Sequence, residues 1–252
     1  MSNPVKCTVH QHLSSRRAFV KTSTAAAAGL LGLLGAKPQT VIADDTPVTL
    51  TKELRDQMTP DQILAKWKAG NARFREGRMV QRDFLSEVKA TAAGQFPAGV
   101  LLSCVDSRAP AEILFNLGMG DVFNARIAGN IENPDILGSM EFTTKLAGAK
   151  VVLVMGHSAC GAVAGAIADA KLGNLTQLLA KIQPAVKATT FSGDRSASNP
   201  EFVDAVARKN VELTMQNIRK HSQVIADLEK AGAVKIAGAF YDLKTGAVEF
   251  FA

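Results

Sequence analysis

Val151-Val152-Leu153-Val154-Met155-Gly156-His157-Ser158-Ala159-Cys160-Gly161 is an apolar, β-branched run that ends on a histidine and a cysteine, directly ahead of an alanine-rich stretch. The run reads as a buried strand, and residues 161–170 read as the helix that follows it. The same order occurs earlier in the chain. Val100-Leu101-Leu102 precedes Cys104-Val105-Asp106-Ser107-Arg108, after which Ala109-Pro110-Ala111-Glu112 opens another helix with proline where its missing N–H costs least. In an open parallel sheet the carboxyl ends of the strands form the crevice where ligands bind, so the two clusters can converge on one ion.

Working outward, Asp121-Val122-Phe123-Asn124-Ala125-Arg126 reads as a further strand, and residues 137–146 as a helix stopped by Gly148. Residues 84–94 read as a short helix and 191–200 as a loop rich in Ser, Asn, Asp and Gly. One long helix is expected from about Glu201 to Leu228, with Val203, Val206, Val211, Met215, Ile218 and Ile225 on its buried face. Residues 234–243 and 247–251 around Lys244-Thr245-Gly246 make a C-terminal β-hairpin. Thr59-Pro60-Asp61 starts a helix in which Ile63, Leu64, Trp67 and Phe74 recur at helical spacing, with Trp67 a packing residue. We expect this helix to serve as an N-terminal arm packing on another subunit. Strands alternating with helices give an α/β fold with a mainly parallel central β-sheet flanked by helices.

The ends of the chain carry a different message. Ser15-Arg16-Arg17-Ala18-Phe19-Val20-Lys21 has the paired arginines of a twin-arginine signal, and an apolar stretch from Thr22 to Ala36 follows. That stretch is too short and too weakly apolar for a stable membrane span. Val41-Ile42-Ala43 offers a cleavage site before Asp44-Asp45, the alternative being an amphipathic helix or a retained anchor. The expectation is therefore a cleaved signal over residues 1–43 and a single catalytic domain over 44–252, carried by the twin-arginine export machinery to the periplasm. Lys6, Arg16, Arg17, Lys21 and Lys37 account for five of the six net positive charges, so the remainder is nearly neutral and lacks the basic character expected of a nucleic-acid binder.

Beyond residue 43 the cysteines are Cys104 and Cys160 and the histidines His157 and His221, so the two clusters hold three of these four. Two thiolates and an imidazole suit a tetrahedral zinc ion and leave its fourth position for water or for Asp106. A disulfide between Cys104 and Cys160 is the competing reading in an exported protein. Cys160, near a helix N-terminus, is placed to favour a thiolate. Asp106 has two possible partners: on zinc it closes the site, whereas paired with Arg108 it leaves the metal open. Zinc lowers the pKa of bound water from about 16 toward roughly 7, so attack by hydroxide on a small electrophile is the natural reaction class. His221 has no ligand neighbour in sequence and reads as a surface or core histidine.

Cys104-x-Asp106-x-Arg108 followed by His157-x-x-Cys160-Gly161, with Gly120-Asp121-Val122-Phe123 and Arg126-Ile127-Ala128-Gly129-Asn130 between them, closely resembles the β-class carbonic anhydrases, from roughly Trp67 to Tyr241. The resemblance implies the β-carbonic-anhydrase fold, zinc on Cys104, His157 and Cys160, and an Asp106–Arg108 dyad that orients the nucleophile for attack on carbon dioxide. It further implies substrate contacts from Gln95, Phe123, Ala128 and the Gly161 backbone, and a homodimer or larger homo-oligomer. Asp106 would join the metal only in a closed state. Leu101 stands where some members carry the tryptophan of an inhibitory bicarbonate site, although Arg126 matches its arginine, so weak or absent bicarbonate switching is expected. Phe142 stands where many members have tyrosine. Alternative functions are hydrolysis of carbon disulfide or carbonyl sulfide on the same fold, or a zinc-binding domain without turnover.

Overall fold

The computed structural model describes residues 48–251, so the export-signal reading over residues 1–43 lies outside the described residues. Among these, five strands form one sheet in the order β2-β1-β3-β4-β5. They are β1 (Gly99–Ser103), β2 (Val122–Arg126), β3 (Val151–His157), β4 (Lys235–Tyr241) and β5 (Val248–Phe251). β1 to β4 pair in parallel, and β5 returns antiparallel to β4 as the expected hairpin. β1 and β3 are buried along their whole length, as strands covered on both faces must be. The chain leaves β1 for β2 on one side and β3 for β4 on the other, so the connections diverge between β1 and β3 and open a crevice at their carboxyl ends. Ser103 lies level with Met155, which brings the residues that follow each strand out side by side.

On one face of the sheet, Leu101, Leu153, Met155 and Ala239 pack against Ile63, Leu64 and Trp67 of α2 (Pro60–Arg75) and against Leu114 and Phe115 at the end of α4 (Ala111–Leu114). A capping box between Thr59 and Gln62 starts α2, and Trp67 stacks on Phe115 with ring centroids 5.6 Å apart. The apolar stripe of α2 is covered by its own sheet and by Phe115. Asn71 completes the attachment, donating to the carbonyls of Leu114 and Gly246 and accepting from the Val248 N–H. On the other face, Val100, Leu102, Val152, Val154 and Ile236 pack against α5 (Pro134–Glu141), α9 (Pro200–His221) and α10 (Gln223–Lys230).

The expected long helix is two. Ser222 ends α9 and caps α10, its hydroxyl accepting from the Ile225 N–H at 3.2 Å and donating to Glu141 at 2.6 Å. A serine bonded in this way competes with the helical ladder and turns the chain. The buried positions foreseen on both sides of the break are all buried. The helix expected over 137–146 begins earlier, at Pro134 under the Asn133 cap, and widens into a π-helical turn over Phe142–Leu146. There the Thr143 and Thr144 hydroxyls both bond back to the Met140 carbonyl. The short helices α1 (Lys52–Gln57), α7 (Gly173–Ala180) and α8 (Gln183–Ala188) were not foreseen, whereas α3 (Phe84–Thr91) and α6 (Gly161–Ile167) fall where expected.

Candidate metal centre

Cys104 follows the last residue of β1, His157 is the last residue of β3, and Cys160 is the N-cap of α6. All three are buried, and one ligand atom from each lies within 4.8 Å of the others, close enough for small side-chain movements to bring them onto one tetrahedral ion. His157 is oriented for such an ion. Its Nδ1 lies 2.9 Å from the Ser158 carbonyl oxygen, which fixes the proton there, and its buried Nε2 has no protein partner. Both cysteines are free, so the structure describes thiols and not the disulfide.

The electrostatics fit a cation as well. The Cys104 thiol is pulled down, chiefly by a hydrogen bond from Cys160 and, against the cost of burial, by His157 and the N–H groups of Gly129 and Asp106. Cys160 is pushed up by sharing its proton with Cys104 and by burial, so the two sulfurs hold one proton between them. Burial lowers the pKa of His157, but the nearby Cys104 sulfur and the Ser158 carbonyl outweigh it and the net direction is up. The pocket thus attracts positive charge, and a divalent ion answers that attraction with both sulfurs as thiolates. These residues fit zinc.

Asp106 is held beside the cluster by Arg108. Arg108 Nε and its backbone N–H each reach Oδ1 at 2.9 Å, and a terminal guanidinium nitrogen reaches Oδ2 at 2.7 Å. The fork keeps the carboxyl well below the usual carboxylate range. Asp106 Oδ2 is 3.9 Å from His157 Nε2, so it faces the ligand atoms while bound to the arginine, the open arrangement of the two considered. Arg126 closes the loop from outside, bonding the carbonyls of Cys104 and Asp106, and the Tyr241 hydroxyl donates to the Arg108 carbonyl at 3.4 Å.

Two left-handed turns flank the ligands. Ala159, between His157 and Cys160, has φ 52°, and Asp204 of α9 accepts its N–H at 2.9 Å. Gly129 and Asn130, with φ 70° and 42°, bring the Gly129 N–H to 3.4 Å from Cys104 Sγ, and Asn210 of α9 donates to the Gly129 carbonyl at 2.7 Å. A side chain at position 129 would strike Ile182, which is why glycine occupies this bend.

Of the residues expected at the site, the structure brings together Cys104, His157, Cys160, Asp106 and Arg108, with Gly161 next to Cys160 and Ala128 next to Gly129. It does not bring Gln95 or Phe123 to this cluster within the chain. Gln95 is exposed ahead of β1, at the opposite end of that strand from Cys104. Phe123 lies level with Val100, about 13 Å of strand below Cys104. His221 is a surface residue whose Nδ1 lies 3.3 Å from Glu132. Asp204, Asn210 and Tyr241 were missed. The sequence offered one signal, a polar Asn210 on the largely apolar face of α9, where it is buried.

Comparison with known proteins is consistent with this geometry. Residues 99–248 match the family model described as carbonic anhydrase. The chain is 33% identical over 192 residues to carbonic anhydrase 2 of Mycobacterium tuberculosis, covering 73% of this chain and 90% of that one. It is 31% identical over 195 residues to the carbonic anhydrase of Mycolicibacterium smegmatis, covering 74% and 92%. Among solved structures, one of two tetrameric β-carbonic anhydrases from Sordaria macrospora superposes with TM-score 0.57 at 25% identity, over 73% of this chain and 91% of that one. The β-carbonic anhydrase CafA of Aspergillus fumigatus shares the fold, with TM-score 0.58 at 24% identity over 76% and 89%.

Proposed function

Because the chain belongs to the carbonic anhydrase family and has the β-class fold, we propose that it catalyses the reversible hydration of carbon dioxide to bicarbonate and a proton. The observation that carries this reading is the forked Asp106–Arg108 pair beside the buried Cys104, His157 and Cys160 donors. Zinc bound there supplies a Lewis acid that makes a water nucleophilic near neutral pH. The rest is the work of the chain. Asp106, kept anionic by Arg108, carries no proton and can only accept a hydrogen bond. An attacking O–H must therefore point its hydrogen at Asp106 Oδ2 and its lone pair away from it, toward the carbon. The Gly161 backbone and Ala128 line the side where an apolar gas approaches, and Arg126 keeps the Cys104–Asp106 loop from swinging.

Gln95 and Phe123 act, in this reading, on the site of a second copy. α3 buries Glu87 and turns its apolar residues outward, with Phe84 53%, Leu85 74% and Val88 45% exposed. The turn before β2 packs on α3 through the Met119 N–H and Glu87, β2 is the edge strand carrying Phe123, and Gln95 follows α3 closely. That apolar face supports a homo-oligomer, and the Sordaria relatives are described as tetrameric. Among the described residues no helix is long and apolar enough to cross a membrane. The paired Arg16-Arg17 supports export to the periplasm, with residues 1–43 removed and 44–252 as the working domain.

The test is a comparison of carbon dioxide, carbonyl sulfide and carbon disulfide as substrates of one zinc-loaded preparation. Fast proton release from carbon dioxide with slow sulfide release from the other two supports the proposal. Dominant sulfide release would make the chain a sulfur-substrate hydrolase instead.

A further inference from the structure

Helix α9 touches the metal centre at two points, through side chains outside every ligand motif. Asp204 Oδ1 accepts from the N–H of Ala159, the residue held at φ 52° between His157 and Cys160. Farther along, Asn210 Nδ2 donates to the carbonyl of Gly129, whose own N–H points at Cys104 Sγ. A left-handed conformation costs an L residue roughly 1–2 kcal/mol, so alanine stays there only where something holds it. Asp204 lies inside α9, beyond its first turn, and so does not cap its own helix. Ala159 is exposed, so water could satisfy its N–H without help. A carboxylate aimed at that N–H therefore fixes a backbone conformation and is not a remedy for a buried donor. If Ala159 relaxed to a right-handed conformation, the peptide planes on either side would turn and change the separation of the His157 and Cys160 donors.

We propose that Asp204 is a positioning residue of the metal centre, holding Ala159 in its left-handed turn so that His157 and Cys160 meet one ion. Asn210 bonds the carbonyl of Gly129 beside Cys104, so α9 touches both halves of the ligand set. The inference rests on the metal centre and is independent of which small electrophile is turned over.

The experiment measures the zinc dissociation constant by chelator competition, and the visible spectrum of the cobalt-substituted protein, for Asp204→Ala, Asp204→Asn and Asp204→Ala combined with Ala159→Gly. Asp204→Ala should weaken zinc binding about tenfold and shift the cobalt bands. Asparagine keeps an acceptor for the Ala159 N–H, and glycine takes the left-handed turn without one, so both other variants should return close to the parent. An unchanged dissociation constant and spectrum in Asp204→Ala, or a loss that neither asparagine nor Ala159→Gly relieves, would overturn the assignment. Because the readouts are affinity and spectrum, a chain inactive on carbon dioxide would leave this test intact.

Discussion

Asp121 is a buried carboxylate away from the metal. Burial pushes its pKa up, the Gly118 N–H and Arg82 pull it partly back, and the neighbouring Glu87 adds to the rise. Arg82 spends its charge on Glu87 at 2.8 Å and approaches Asp121 only to 3.9 Å, so two acids share one guanidinium. A carboxyl whose folded pKa is raised favours the fold while protonated, and that contribution is lost as pH rises through the folded value. Asp121→Asn keeps the acceptor for Gly118 without the charge. We expect its thermal midpoint to exceed that of the parent at pH 8, and the gap to close as pH falls through the carboxylate range. An asparagine variant less stable than the parent at pH 8 would show that Arg82 more than repays the burial. The same scale explains what could be read at the metal centre. Cys104, Asp106, Arg108, His157 and Cys160 fall in two short segments, so sequence spacing alone reveals them. Asp204 and Asn210 reach the same place from a helix that follows much later in the chain, and no local pattern marks them.

At the scale of elements, α2 is fixed by contact with backbone as much as by its apolar stripe. A Cβ on Gly70 would stand 1.8 Å from the Phe115 carbonyl oxygen, a distance no rotamer change relieves. Gly70→Ala should therefore cost about 3 kcal/mol, read as a lower urea midpoint. A change within error would mean that α2 can lift from the sheet without loss. Periodicity identified this helix and every strand, because apolar spacing records which residues are buried. It does not record what buries them, and Phe115 and the sheet of its own chain cover the stripe of α2. Similarly, an apolar face that continues from Val203 to Ile225 conceals the bend at Ser222, where one hydroxyl replaces a turn of helical bonding.

At the scale of the whole molecule, α3 gathers Phe84, Leu85 and Val88 on one exposed face that a single copy leaves uncovered. Leu85→Lys on that face should leave the fold intact and lower the assembly state in sedimentation. An unchanged sedimentation coefficient would move the subunit contact elsewhere. The parallel sheet and the carboxyl-end position of the site were legible from the strand runs and the clusters that end them. The separation of Gln95 and Phe123 from the site of their own chain was not, since it depends on strand order and direction, which no short motif encodes. The central claim is that Asp106, held by Arg108, works beside the metal ligands to hydrate carbon dioxide. Its most direct test is stopped-flow carbon dioxide hydration per bound zinc for the parent and Arg108→Ala. We expect rapid turnover in the parent and a fall of about a hundredfold in the variant at equal zinc content. Equal turnover in the two, or none in a fully zinc-loaded parent, would contradict it.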